Sequence, residues 1–197
     1  MNEVLALPTG PMTEASLDLA RKLESPSLVE HSIRSFLFAR LLADHEGCLT
    51  DAAYDEDLLF AATVMHDLGL GDHSEGRARF EVEGADLAAT LLREHGVNEA
   101  DVDRVWEAIA LHSAAQIADR RGLLTYLTHK GVFIDVDLLP NPVADRLRDA
   151  VLSEYPKAPG DTSVVDAIVK HAAQSAATAP PGSVGAFLLL ATQGDRA

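Results

Sequence analysis

The run LLFAATVM at residues 58–65 ends on the polar pair His66-Asp67 and is broken at once by Gly69 and Gly71. A helix that is apolar on all sides belongs in the interior of a protein, so this segment must be surrounded by others. The polar pair at its end is carried inside with it. An aspartate at the C-terminal end of a helix also opposes the helix dipole, which is unfavourable unless a positive group compensates. A metal ion would serve, and so would an arginine such as Arg34.

The surrounding chain supplies the partners this buried helix needs. Apolar residues three and four apart recur along nearly the whole sequence, with breakers between, so the expected fold is all-α. Thr13 reads as the cap of a first helix, TEASLDLARKL. Pro26 and Ser27 open a second that stops at Gly47. Asp55 to Leu68 reads as a third, acidic at its start, and FEVEGADLAATLLREHG and EADVDRVWEAIALHSA as a fourth and fifth. Leu123 to Leu139 contains VFIDV, a strand by propensity, but its helical surroundings favour helix. Pro142 opens PVADRLRDAVLSEY, and Thr162 caps SVVDAIVKHAAQSAATA. Pro180, Pro181 and Gly182 set off a short apolar tail, whose LeuLeuLeu at 188–190 could dock on its own core or on another subunit. The expectation is one helical-bundle domain over residues 1–197, with a core at 26–179, a tail at 180–197, and a homo-oligomer left open.

Charge and cysteine usage narrow the class of partner. Sixteen Lys and Arg stand against thirty-one Asp and Glu, a net charge of −15. So acidic a chain repels a phosphate backbone at long range, which argues against nucleic acid and fits a small-molecule substrate. Cys48 is the only cysteine, so no intramolecular disulfide forms. The N-terminus has no basic residue before Arg21 and does not read as a secretory signal. The longest apolar run near the C-terminus, Ala186 to Thr192, is too short to span a bilayer. A cytoplasmic location without membrane contact is the expectation.

Histidines and aspartates elsewhere could complete a site with His66-Asp67. His31 sits mid-helix among Leu28, Phe38 and Leu42, and Asp135 lies in the apolar stretch LLTYLTHKGVFIDVDLL, where an unpaired carboxylate is costly. Asp137 competes with Asp135 for the role. His112, at the end of VWEAIALH, can be ligand, proton donor or core residue. Two histidines and two carboxylates make a mixed nitrogen/oxygen set that suits zinc first, with iron(II) or manganese(II) compatible. Arg34, one turn after His31, is placed to neutralise and orient Asp67. Phe80 and Trp106 are candidates for the wall of a narrow, largely apolar substrate pocket, although core packing also explains Trp106. Arg77 and Arg79 read as solvated, and His45, His73, His95, His129 and His171 fall in polar or helix-end contexts.

The pattern His31…His66-Asp67…Asp135 resembles the HD-domain superfamily of metal-dependent phosphohydrolases. The segments HSIRSFLFARLL, AATVMHDLGL, RFEVEGADLAATLL and VWEAIALHSA, over roughly residues 28–140, resemble its cyanamide hydratase-like branch. The resemblance implies that His31, His66, Asp67 and Asp135 bind one divalent metal. Dinuclear members place a further histidine where this chain has Phe80, which implies a single ion and argues against oxygen chemistry at two irons. Nucleotidase-like members carry a glutamate shortly after the pair, where this chain reads LGLGD. The activity implied is addition of metal-activated water to a nitrile-like molecule such as cyanamide, giving urea, with Asp67 and His112 moving the protons. The alternatives are a phosphohydrolase of nucleotides or other small phosphomonoesters, and a non-catalytic HD-like binding or regulatory module.

Overall fold

The computed structural model describes residues 5–194. Among these residues nine α-helices run in chain order: α1 Pro11–Leu23, α2 Pro26–His45, α3 Glu56–Val64, α4 Phe80–Glu94, α5 Glu99–Leu111, α6 Leu123–Asp135, α7 Asp145–Glu154, α8 Ser163–Ala172 and α9 Val184–Gly194. Short 3-10 turns at Cys48–Thr50, Leu68–Leu70 and Ala118–Arg120 join some of them, and no strand occurs among the described residues. The VFIDV segment lies in and just beyond α6, as its surroundings suggested. No helix among the described residues is long and apolar enough to cross a membrane.

The apolar run occupies the centre. Every residue of α3 from Leu58 to Val64 is buried, and the helix packs against α1, α2, α5 and α6. Its start is set by Asp55, whose side chain accepts the Leu58 N–H at 3.0 Å, with Glu56 and Asp57 favouring the positive end of the dipole. The broadest interface is between α2 and α6. They meet at Gly131, where a Cβ would stand 2.3 Å from the Ser35 carbonyl oxygen and 2.7 Å from Ala39 Cβ. α8 and α9 close one end. Ile168, Val164 and Ala167 of α8, with Val184 and Leu188 of α9, pack on Leu28, Leu70 and Phe80. The tail therefore folds back as a helix, leaving Phe187 and Leu190 exposed.

Several boundaries differ from those expected. α3 stops at Val64 rather than Leu68, because the His66 ring donates Nδ1–H to the Thr63 carbonyl at 2.7 Å. That carbonyl would take the Asp67 N–H if the helix continued. α1 begins at Pro11; the Thr13 hydroxyl donates to the Gly10 carbonyl instead of capping. α6 ends at Asp135, and Asp137 adopts a left-handed φ of 59°. α7 opens at Asp145, not Pro142. The Thr162 hydroxyl donates to Asp166 rather than capping α8, which ends at Ala172 and not Ala179.

Candidate metal centre

Four polar side chains from three parts of the bundle converge below α3. His31 comes from the middle of α2, His66 and Asp67 from the turn after α3, and His112 from the end of α5; none is more than 3 % exposed. The turn is held by two close approaches. A Cβ at Gly69 would lie 2.0 Å from the Phe80 carbonyl oxygen, and one at Gly84 3.1 Å from the Gly69 nitrogen. Only glycine at 69 lets the chain fold back so tightly after Asp67.

Each imidazole is oriented by the nitrogen it turns away from the centre. His31 Nδ1–H donates to Asp135 at 2.7 Å, His66 Nδ1–H to the Thr63 carbonyl at 2.7 Å, and His112 Nδ1–H to the Ile109 carbonyl at 2.7 Å. All three partners are pure acceptors, so a neutral ring keeps its proton on Nδ1 and presents the Nε2 lone pair inward. His31 Nε2 and His66 Nε2 then face each other at 3.2 Å. Asp67 Oδ2 lies 3.3 Å from His66 Nε2 and 3.8 Å from His31 Nε2, buried and without a hydrogen bond. His112 Nε2 stands 4.0 Å from Asp67 Oδ1, and its ring centroid 4.7 Å from that of His66.

This donor set fits a single cation. Facing lone pairs and an orphaned carboxylate oxygen repel one another in the interior unless positive charge lies between them. Atoms bound at about 2.0–2.2 Å to one tetrahedral ion lie about 3.3–3.6 Å apart, close to the separations found here. His31, His66 and Asp67 form the group able to hold an ion among the described residues. The electrostatics agree. Burial works against the charged Asp67, yet the neighbouring His66, with His31 and His112, holds its carboxyl far below the usual range. Burial likewise opposes charging of His66, and Asp67 overcomes it and raises its pKa. His112, farther from that carboxylate, is pushed down to about 4 by burial and by the charge of His66.

Asp135 stands elsewhere than expected. Its Oδ1 accepts from Arg34 Nε at 2.6 Å, and its Oδ2 accepts from Arg34 Nη2 at 3.0 Å and from His31 Nδ1 at 2.7 Å. The carboxylate is thus spent on the outer edge of the His31 ring, where it fixes that ring's orientation. Arg34 correspondingly pairs with Asp135 and not with Asp67, and its Nη1 donates to the Pro156 carbonyl at 3.1 Å. Asp137 lies outside the cluster on the surface, paired with Lys157 and Arg148.

Among the remaining candidates, Phe80 joins the site and Trp106 does not. The buried Phe80 ring packs edge-on to His112 at 5.6 Å and to His171 at 6.1 Å. Trp106 is 36 % exposed and donates its Nε1–H to Asp86 at 2.8 Å. Arg77 is exposed, paired with Glu75, and Arg79 is engaged with Glu81. His129 and His171, read from sequence as peripheral, are buried: His129 donates to the His112 carbonyl, and His171 bonds Ser74 and the Ala78 carbonyl.

Two acidic residues not singled out in the sequence also belong here. Glu81, 1 % exposed, takes hydrogen bonds from Arg79 and Ser113, and these partners with the nearby His112 keep its carboxyl ionised against the opposing effect of burial. Glu24, 8 % exposed, has no hydrogen-bond partner on either oxygen among the described residues; burial first, and then the Asp67 charge, push its pKa well above the ordinary range. A Glu directly after an apolar helical position carries no spacing signal, and neither residue stood out for that reason.

The architecture defines an all-α protein whose centre can hold a metal ion between a histidine of α2 and the His66-Asp67 pair of the turn after α3. The HD domain family model matches residues 28–174, and the chain belongs to the HD domain family. That family consists largely of metal-dependent hydrolases. No curated protein matches the chain.

Proposed function

We propose that the protein is a metal-dependent enzyme that adds water to a small nitrile-like molecule, with cyanamide, giving urea, as the representative substrate. The observation that carries this reading is the chemistry of the centre, in which the Nε2 atoms of His31 and His66 and Asp67 Oδ2 face one another, with His112 Nε2 adjoining, while the nearby cations are committed elsewhere. Arg34 is spent on Asp135 and the Pro156 carbonyl, and Arg79 on Glu81. A phosphomonoester would need cationic or N–H donors free to bind its oxygens, so an uncharged substrate is favoured.

His31, His66 and Asp67 would hold the ion, with His112 Nε2 adjoining. A divalent ion bound there supplies Lewis acidity and lowers the pKa of water at the site. In the hydration, an oxygen–carbon bond forms, one carbon–nitrogen π bond opens and a proton passes from the water oxygen to the nitrile nitrogen, giving isourea; its hydroxyl proton then moves to the same nitrogen as the carbonyl of urea forms. His112 is the residue suited to carry that proton, because its Nδ1–H is fixed on the Ile109 carbonyl and only Nε2 can exchange. Phe80, edge-on to the same ring, favours a small, weakly polar molecule there. Metal analysis of the purified chain, followed by urea release from cyanamide, tests the reading. One zinc, iron or manganese per chain with urea formed is the expected result, and metal bound without urea would remove the nitrile chemistry.

A further inference from the structure

A second unsatisfied polar group lies at the corner packed on the turn that follows Asp67. Glu24 follows the last residue of α1, and Ser25 caps α2 directly after it, so the residue sits at a tight corner. The corner is clamped to the turn that carries Asp67. The Leu23 carbonyl accepts the Asp72 N–H at 3.4 Å, and a Cβ at Gly71 would come within 2.5 Å of that carbonyl oxygen. The residue is buried, at 8 % exposure, and neither carboxyl oxygen meets a hydrogen-bond donor among the described residues. Asp67 is the charge that acts on it.

The fold derives nothing from this arrangement. An interior carboxyl without hydrogen bonds is a stability cost, and a glutamine or methionine would fill the same space with less penalty. Buried polar groups without partners are few in native proteins, and a missing ligand is one of the recognised explanations. The surroundings show what that ligand lacks and what it offers. The centre presents as acceptors Nε2 of His31 and His66 and Asp67 Oδ2, and the corner packed on its turn presents the unpartnered carboxyl of Glu24. A cation takes up those on the histidines and Asp67, which leaves the Glu24 carboxyl as the polar group still to be matched.

We propose that Glu24 is a substrate-binding residue whose carboxyl takes the H2N–C edge of a small nitrogenous molecule lying against the centre. The carboxyl matches N–H groups on one carbon, two of them in an amidine or in the urea product and one from the amino group of cyanamide. This rests on the hydration reading for the choice of probe only, since the unmatched carboxyl is a property of the chain itself.

The test uses the full-length, zinc-loaded protein, with Glu24→Met as the principal variant and Glu24→Gln as an isosteric second. Four quantities are read: thermal midpoint, zinc content, calorimetric titration with cyanamide and with inorganic phosphate, and urea release. Glu24→Met is expected to keep its zinc, to melt about 2–6 °C higher, and to bind cyanamide about tenfold or more weakly, with Glu24→Gln between it and wild type. A lower midpoint with unchanged cyanamide affinity would make Glu24 structural and overturn the proposal. Loss of zinc would make it an ion ligand and overturn it equally. Binding that depends on Glu24 without any urea release keeps Glu24 and removes the hydration reading. Equal urea release from wild type and both variants does the reverse. Wild type that binds phosphate and not cyanamide overturns both.

Discussion

The two edges of the His31 ring are finished to different degrees. On the Nδ1 side, Asp135 has each oxygen engaged, Arg34 spends all its nitrogens on that carboxylate and one carbonyl, and nothing is left over. On the Nε2 side stand a facing imidazole and the unbonded Asp67 Oδ2, and the corner packed on the turn after Asp67 carries the unbonded Glu24 carboxyl. The residue types are alike and the burial is similar. One side holds the helices in register and the other waits for a ligand, so satisfaction of hydrogen bonds, rather than composition, separates scaffold from site.

Breaking the unfinished side should have the largest effect on function. His66→Ala is expected to drop metal content from about one ion per chain to near none and to abolish activity, with helical circular dichroism retained. Full metal content in that variant would dismantle the proposed centre. Breaking the finished side should instead cost stability. Asp135→Ala leaves the Arg34 guanidinium buried without its counter-ion, a loss of about 3–5 kcal/mol measurable by denaturant unfolding. A loss under about 1 kcal/mol would show that the pair is not what holds α2 to α6.

Smaller effects sharpen the same division. His112→Ala should keep the metal and lower kcat by about 10²- to 10⁴-fold; metal loss instead would place His112 among the ligands. His129, just behind it, has its pKa lowered by burial. The unfolded chain therefore takes up its proton first, and stability falls as pH drops below about 6.5 toward the folded value. His129→Gln should flatten that part of a stability–pH curve, and an unchanged slope would assign the acid sensitivity elsewhere. Trp106→Ala should shift stability by less than about 1 kcal/mol and leave metal content and KM alone; a raised KM would bring the indole back to the substrate.

How much of this could be read from the residues depends on the range of the interaction. The helical periodicity, the burial of 58–64 and the meeting of His31 with His66-Asp67 follow from pattern and resemblance, because each is written in a local run. The end of α3 was less legible, since a side chain, His66, captures the carbonyl that would have continued the helix. Arg34 lay on the face of α2 shared with His31, but spacing on one helix cannot say which carboxylate arrives from a segment 101 residues later. Glu24 left no trace at all. A single glutamate before Ser25-Pro26 reads as a solvated helix end, and only the fold of Gly71 against Leu23 shuts it in.

Gly131 bears on the whole arrangement through mechanics. It lies one turn before Asp135, and Ser35 lies one turn after His31, so the place where α2 and α6 touch is a single turn from the bond between those two side chains. With no Cβ between them, the helices rest backbone on side chain and backbone, at a separation fixed by hard contact. Close-packed interiors of this kind compress very little. The reach of the Asp135 carboxylate to the imidazole is accordingly gauged by a stop and not by a spring, and an alanine at 131 would act as a shim, widening the gap by the thickness of one methyl group.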